Sequence, residues 1–286
     1  MTPNPADPNF AFSNHPRRWR DFRYVYPVIS RRSKGLSIGI NLNPGQNCNL
    51  DCIYCQVNRL QPGKPEPVDF AVLSAELRQM LQCYPEIFQE EQNRNIPPEY
   101  RVIRDIAFSG DGEPTLAPAF PAAAGLAAEM RSRFDLHNAK IVVITNSCFL
   151  RKPTVIQTLA FLDDHNGEIW AKLDAGTQAY FEQVNAARHS LDEITRDLHA
   201  TCRVRPIVIQ SLFMRIDGQL PPDAEITAYL NRLRTLTQEG GQIKLVQVYT
   251  LARKPAQSNV EKLTRDELEK IVSRVRELNI PVELFL

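Results

Sequence analysis

The sequence predicts an α/β protein of consecutive parallel β/α units, and three observations carry that prediction. Short apolar runs of strand length alternate with longer amphipathic stretches from about Leu36 to Thr250. Helix start and stop signals fall between them. Polar, glycine-bearing segments recur just after the apolar runs, where β/α folds carry their functional loops. Units wound with one hand give either an open doubly wound sheet or a partial barrel, and periodicity alone does not choose.

The elements follow in order. Residues 1–34 read as an arm, with Pro3, Pro5, Pro8 and Pro16 suppressing regular structure up to residue 16. Leu36-Ser-Ile-Gly-Ile-Asn-Leu42 alternates apolar with small or polar residues, as a strand does. A helix over Ala71–Cys83 aligns Leu73, Leu77 and Leu81 on one stripe. Val102–Phe108 is a second strand, followed by an alanine-rich helix over Ala119–Phe134. Lys140–Thr145 is a third strand of buried character, followed by a helix over Val155–Leu162. Glu168–Leu173 is a fourth strand. Ser190 with Glu193 forms a capping box for the next helix. Pro206–Phe213 is a fifth strand, and Asp223 is placed to cap a helix whose Ile226, Leu230, Leu233 and Leu236 share a face. Gly240-Gly241 ends that helix. Ile243–Tyr249 is a sixth strand. Thr264 with Glu267 opens a last helix, and Val282–Phe285 adds one more strand. The expected division is an arm over 1–34, a core over 35–253, and a C-terminal helix and strand over 254–286 packed on the core.

The formal net charge of +1 singles out no partner by overall charge. No apolar run approaches the roughly 18 residues that a membrane helix needs. Six cysteines in a chain with no signal-peptide pattern and ample apolar residues for a core point to a reduced, cytoplasmic protein rather than a disulfide scaffold.

The chemistry is concentrated in Cys48-Asn-Leu-Asp-Cys52-Ile-Tyr-Cys55, directly after the first strand. Structural zinc takes four ligands, usually as two short pairs, and no fourth cysteine or histidine is near: His15 is well upstream and Cys83 well downstream. Three thiolates in this spacing suit three corners of an iron–sulfur cubane, leaving the fourth iron without a protein ligand. A structural or electron-transfer iron–sulfur protein is the non-enzymatic alternative.

The C-x3-C-x2-C spacing, with an aromatic residue before the last cysteine, resembles the radical S-adenosylmethionine (radical SAM) superfamily. That resemblance implies a partial (β/α)6 TIM-like barrel with parallel strands. It implies a [4Fe–4S] cluster on Cys48, Cys52 and Cys55, with SAM chelating the fourth iron. It further implies one-electron cleavage of SAM to a 5′-deoxyadenosyl radical, hydrogen abstraction from a substrate, and an external flavodoxin- or ferredoxin-like reductant.

The same resemblance gives roles to the later strand ends. Phe108-Ser-Gly-Asp-Gly-Glu-Pro-Thr115 is similar to the family's Gly-Gly-Glu motif with Asp111 inserted, so Gly110, Asp111, Gly112 and Glu113 would position the SAM amino group. Its two glycines also suit a plain strand-to-helix turn. Asn146, in Thr145-Asn146-Ser147, would bond the SAM carboxylate or ribose, or cap a turn. Lys172 and Asp174 share one strand face and would contact the SAM carboxylate and ribose, or pair only with each other. Backbone around Val248 would neighbour adenine. Together these segments look like the uncharacterised Fe–S oxidoreductases grouped near the wyosine-base enzymes of tRNA modification, over most of residues 24–253. The chain departs from the wyosine enzymes in having no cysteine before Cys48.

Other residues are read from their own chemistry. Cys83 and Cys202 read as buried small hydrophobes, and Cys148 lies on the strand-end side. Gln210 and Ser211 interrupt an apolar strand, which suggests a lumen-facing role or a cross-strand hydrogen bond. Arg253 reads as solvent-facing. Arg17–Tyr26, with Arg31, Arg32 and Lys34 beyond, mixes bases with aromatics. That mixture suits RNA by phosphate neutralisation and stacking, and equally an arm whose arginines pair with surface acids.

Overall fold

The structure, a computed structural model, describes residues 17–57, 66–186, 189–253, 255 and 257–286. The proline-bearing start at 1–16 and residues 61–65 of the Gln61–Pro67 connection lie outside them. The chain divides into two compact units, and eight strands make its main sheet.

The first unit (Met1–Asn47, Gly63–Val143, Gln157–Gly167) holds β1 (Val25–Ser30), β2 (Gly35–Ile40), β3 (Ile103–Phe108) and most of β4 (Lys140–Thr145). Its helices are α1 (Phe70–Cys83), α2 (Phe120–Arg133) and most of α3 (Pro153–Asp163). The strands run in the order β1-β2-β3-β4. β2, β3 and β4 pair in parallel, with Ile106 facing Ile38 and Ile141. Ile38, Ile106 and Ile141 are fully buried, as expected of parallel strands covered on both faces.

β1 departs from the arm expected over 1–34. It pairs antiparallel with β2, Val25 opposite Ile40 and Ser30 opposite Gly35. Pro27 masks it in the sequence, yet an edge strand tolerates a residue without an N–H. The antiparallel sense has a functional consequence: the start of β1, and the Arg17–Tyr24 segment before it, lie at the carboxyl end of β2. Asn41 N–H donates to the Tyr24 carbonyl there at 2.8 Å. Glu76 of α1 is buried and fixes the same entry. Its carboxylate accepts from the backbone N–H of Arg23 at 2.7 Å, Tyr24 at 2.8 Å and Val25 at 3.1 Å.

The second unit (Cys48–Pro62, Ile144–Ile156, Glu168–Leu286) holds the cysteine loop, nearly all of β5 (Gly167–Lys172), β6 (Ile207–Leu212), β8 (Ile243–Tyr249) and β10 (Val282–Phe285). These four follow in that order, each pairing in parallel with the next. β7 (Met214–Ile216) and β9 (Val260–Lys262) form a small antiparallel pair. The helices are α4 (Gln178–Asn185), α5 (Leu191–Val204), α6 (Asp223–Gln238) and α7 (Arg265–Arg276).

All six expected β/α strands are present, and Val282–Phe285 is a strand as expected. The capping boxes hold in outline: Ser190 accepts from Glu193 N, and Thr264 and Glu267 cap each other. Asp223 is a correction, since Pro222 occupies the N-cap position and the Asp223 carboxylate pairs with Arg274 at 2.6 Å. α4 is unannounced in the sequence; Thr177 caps it by accepting from Tyr180 N, and Ala186, at φ 45°, ends it. Cys202 is buried as read, whereas Cys83 is only half-buried. Among the described residues no helix is long and apolar enough to cross a membrane.

Candidate active site

In the second unit the cysteine loop is tied down from two sides. The carboxyl end of α4 accepts its backbone donors: Asp51 N–H meets the Asn185 carbonyl at 3.3 Å and Ile53 N–H the Val184 carbonyl at 2.9 Å. These carbonyls lack intrahelical partners at a helix end, so the loop completes α4 as α4 holds the loop. Within the loop Cys55 N–H donates to the Cys52 carbonyl at 2.8 Å, which closes a tight turn around Tyr54. After β4, Asn146 donates from Nδ2 to Asn49 Oδ1 at 2.8 Å, with Cys48 Sγ at 3.9 Å. Its Oδ1 accepts from Cys148 N–H. Asn146 therefore sits against the first cysteine, as well as capping its own turn.

Lys172 and Asp174 meet as an ion pair at 3.1 Å, with the Asp174 side chain 1% exposed. Asp174 is densely partnered. Its Oδ1 also accepts from Leu212 N–H at 2.9 Å, and its Oδ2 accepts from Tyr54 Oη at 2.5 Å and Asn185 Nδ2 at 3.3 Å. Lys172 Nζ donates to Tyr249 Oη at 2.7 Å and lies 4.7 Å from the Tyr54 ring centroid and 5.0 Å from that of Tyr249. Burial pulls the Lys172 ammonium down, but Asp174 and the Tyr249 phenol outweigh it and hold the group above lysine's usual value. Burial first, then Asp174, push the Tyr54 phenol well up. A charged lysine, the Tyr54 and Tyr249 side chains and a densely partnered Asp174 are thus fixed beside the cysteine loop.

The register extends this polar face across the unit. Lys172 stands opposite Gln210, Gln210 opposite Gln247, and Gln247 opposite Glu283. Gln210 Nε2 donates to Gln247 Oε1 at 2.7 Å, both side chains being buried, while Gln210 Oε1 has no hydrogen-bond partner among the described residues. Ser211 points the other way: its Oγ lies 2.7 Å from both the Leu173 carbonyl and Tyr229 Oη of α6. The polar interruption of β6 therefore divides between the two faces.

In the first unit the Ser109–Thr115 turn packs on the segment following β2. Gly110, at φ +135°, occupies backbone space closed to other residues, and a Cβ there would strike Asn41. A Cβ on Gly112 would lie 1.9 Å from the Asn47 carbonyl, one residue before Cys48. The two glycines thus let the turn lie directly on the Asn41–Asn47 segment. Asp111 accepts from Asn41 Nδ2 at 2.7 Å and pairs with Arg17 at 2.8 Å. Glu113 is buried and accepts from Thr115 N–H at 3.1 Å and Thr115 Oγ1 at 2.6 Å, capping the short 3-10 turn that follows. Asn43 Nδ2 donates to the Glu113 carbonyl at 3.0 Å.

The basic arm borders this turn. A cavity of about 1110 Å³ is lined by Arg17, Arg18, Phe22, Asn43, Asn47 and Asp111, among others. Arg17 pairs with Asp111, Arg20 with Glu86, and Arg23 with Glu66. Trp19 is buried and donates to Glu90 at 3.0 Å. In this arm three arginines pair with acids, and Trp19 and Tyr24 are buried.

The donor set of the second unit fits a cluster held at three corners. None of Cys48, Cys52 and Cys55 is in a disulfide. Asn185 Nδ2 lies 3.2 Å from Cys52 Sγ, an amide donor of the kind that supports a ligating thiolate. Asn185 Oδ1 is buried without a partner among the described residues, and such an acceptor costs about 1–3 kcal/mol unless a donor completes it. A bound nucleoside offers donors of that kind. Among the described residues no three His, Cys, Asp or Glu side chains converge as a single metal ion would require. A cubane asks for something else, one thiolate on each of three irons.

Sequence reasoning did not find Asn185, Tyr54, Tyr249 or Gln247. Tyr54 had a signal, the aromatic before the last cysteine; the others join residues distant in the chain.

No family model matches the chain. It is 26% identical over 170 residues to a protein of Brachyspira hyodysenteriae named GTPase Obg, covering 59% of this chain and 22% of that one. It is 26% identical over 250 residues to a UPF0026 protein of Helicobacter pylori, covering 85% of this chain and 70% of that one. It is 30% identical over 165 residues to a UPF0026 protein of Methanocaldococcus jannaschii, covering 58% and 44%. The chain thus spans less than half of the first and third of these proteins.

Among solved structures, TYW1 with a lysine–pyruvate adduct bound superposes with TM-score 0.54 at 16% identity, over 86% of this chain and 74% of that one. A radical SAM methyltransferase from Sphaerobacter thermophilus gives 0.59 at 16% identity, over 91% and 68%. At that identity the likeness is one of fold, and it decides between the two architectures that strand periodicity left open: this chain has an α/β, partial (β/α)6 barrel fold like that of these two structures.

Proposed function

We propose that this protein is a radical SAM enzyme, with a [4Fe–4S] cluster on Cys48, Cys52 and Cys55. The observation that carries the reading is the cysteine loop itself, three thiols outside any disulfide, backbone-clamped by α4, with amide groups of Asn185 and Asn146 directed at two of the sulfurs. When bound, the reduced cluster and SAM supply a 5′-deoxyadenosyl radical that takes a hydrogen atom from a substrate.

The chain's own residues bind and orient. Gly110–Glu113 are assigned the methionyl amine. Their part includes main-chain groups and close approach; the Asp111 carboxylate also serves Arg17 and Asn41, and Glu113 Oε1 accepts from Thr115. Asn146 is assigned the carboxylate or ribose. Lys172, kept protonated by Asp174, is the cation for the SAM carboxylate. Asp174 acts chiefly by holding Lys172, Tyr54 and Asn185 in place, since a ribose hydroxyl reaching it would displace one of them. The electron comes from an external flavodoxin- or ferredoxin-like donor.

Two substrate classes go with this reading, an RNA nucleoside, and a small metabolite or protein side chain. The pairing of Arg17, Arg20 and Arg23 with acids favours the second, because arginines so engaged have less charge to offer phosphates.

The test is the EPR spectrum of the anaerobically reconstituted, reduced protein with and without SAM. A cluster with an iron open to SAM changes its signal on addition. An unchanged signal would favour the alternative of a structural or electron-transfer iron–sulfur protein.

A further inference from the structure

Asn185 is buried, and its carboxamide faces three acceptors at once. Nδ2 lies 3.2 Å from Cys52 Sγ, 3.3 Å from Tyr54 Oη and 3.3 Å from Asp174 Oδ2. An amide has two hydrogens for these three, so they compete. Tyr54 resolves the competition in favour of sulfur. Its hydroxyl donates to Asp174 Oδ2 at 2.5 Å, so the carboxylate keeps a donor when the amide turns to Cys52. A Cys52 thiolate, being charged, is then the strongest acceptor present.

The backbone of the same residue acts separately. The Asn185 carbonyl accepts from Asp51 N–H, and its neighbour Val184 accepts from Ile53 N–H. Loop anchoring therefore belongs to the main chain, and the side chain is left to act on the sulfur.

We propose that Asn185 is a positioning residue that raises the reduction potential of the cluster through its N–H···S hydrogen bond to Cys52. The inference rests on the cluster assignment above. Reduction adds negative charge that is shared by the thiolate sulfurs. A donor aimed at one sulfur stabilises the reduced form over the oxidised form, and hydrogen bonds to sulfur are among the determinants of cluster potential.

The test is an EPR-monitored redox titration of the reconstituted protein without SAM, alongside iron content. Asn185→Leu removes the donor and keeps the two main-chain anchors. It should load iron as the wild type does and show a more negative midpoint. Asn185→Asp keeps the size and turns the donor into an acceptor, and it carries the test if the leucine variant does not fold. Its midpoint should also lie below that of the wild type. Equal midpoints in the wild type and a loaded variant would overturn the tuning role and leave the cluster assignment standing. Loss of iron from both variants with the fold retained would also overturn it, making Asn185 a residue that holds the loop. A wild type that forms no cluster would instead remove the cluster assignment itself.

Discussion

Cys52→Ala should abolish cluster assembly while leaving the fold in place. Cys52 is the middle cysteine of the triplet, and Asn185 Nδ2 lies 3.2 Å from its sulfur. Losing an outer-shell partner of a metal ligand typically costs roughly 10–100-fold in metal affinity. Removing the ligand should cost more, so iron content after anaerobic reconstitution should fall close to background. The fold should survive because the loop is held by main-chain bonds from Asp51 and Ile53 to α4, which alanine leaves untouched. In the apo protein burial raises the Cys52 thiol to about 12, with Asn185 pulling the other way, so at neutral pH alanine replaces a neutral group. Iron and sulfide in Cys52→Ala equal to wild type would show that the cluster is not on this triplet.

Asp174→Ala should destabilise the protein by about 3–5 kcal/mol, the range for stranding one partner of a buried ion pair. The carboxylate is 1% exposed and serves Lys172, Leu212 N–H, Tyr54 and Asn185 together. Alanine leaves each of these short of an acceptor and keeps the ammonium buried. Asp174→Asn retains an oxygen for Leu212 N–H and loses the charge, so it should cost less than alanine. The sign of the pH dependence follows from Lys172. Its ammonium, lowered by burial but raised further by Asp174 and Tyr249, sits above its unfolded value. The stability it contributes is complete below the unfolded lysine pKa and is lost as pH rises through the folded one. The gap between wild type and Asp174→Ala should therefore narrow on the alkaline side. Urea denaturation across pH measures both effects, and a gap under about 1 kcal/mol at neutral pH would mean that the network contributes little.

What was legible in the sequence is what local pattern encodes. The parallel strands announced themselves because a strand buried on both faces needs an unbroken apolar run, as in Lys140–Thr145. The cysteine triplet was legible because all three cysteines lie within one loop. β1 was not, since Pro27 and the surrounding charges hide a strand that is tolerated only at an edge. α4 is short, and its recognisable cap, Thr177, sits immediately after a strand end that already drew attention.

The least legible residues are those whose meaning depends on distant partners. Asn185 reaches Cys52 across 133 positions, and Lys172 reaches Tyr249 across 77. No spacing rule links such pairs; only the parallel register brings β5 and β8 residues to one face. Asp174, read first as a cofactor ligand, also serves four of the protein's own donors. Residues with no assigned role, Tyr54 and Asn185, complete the surroundings of Cys52.

The most direct test of radical SAM chemistry is the release of 5′-deoxyadenosine from SAM by the reconstituted protein, under anaerobic conditions with dithionite as reductant. The wild type should form 5′-deoxyadenosine with methionine even without a substrate, and Cys52→Ala should form none. No product from a wild type carrying its full iron and sulfide, or equal product from Cys52→Ala, would contradict the assignment.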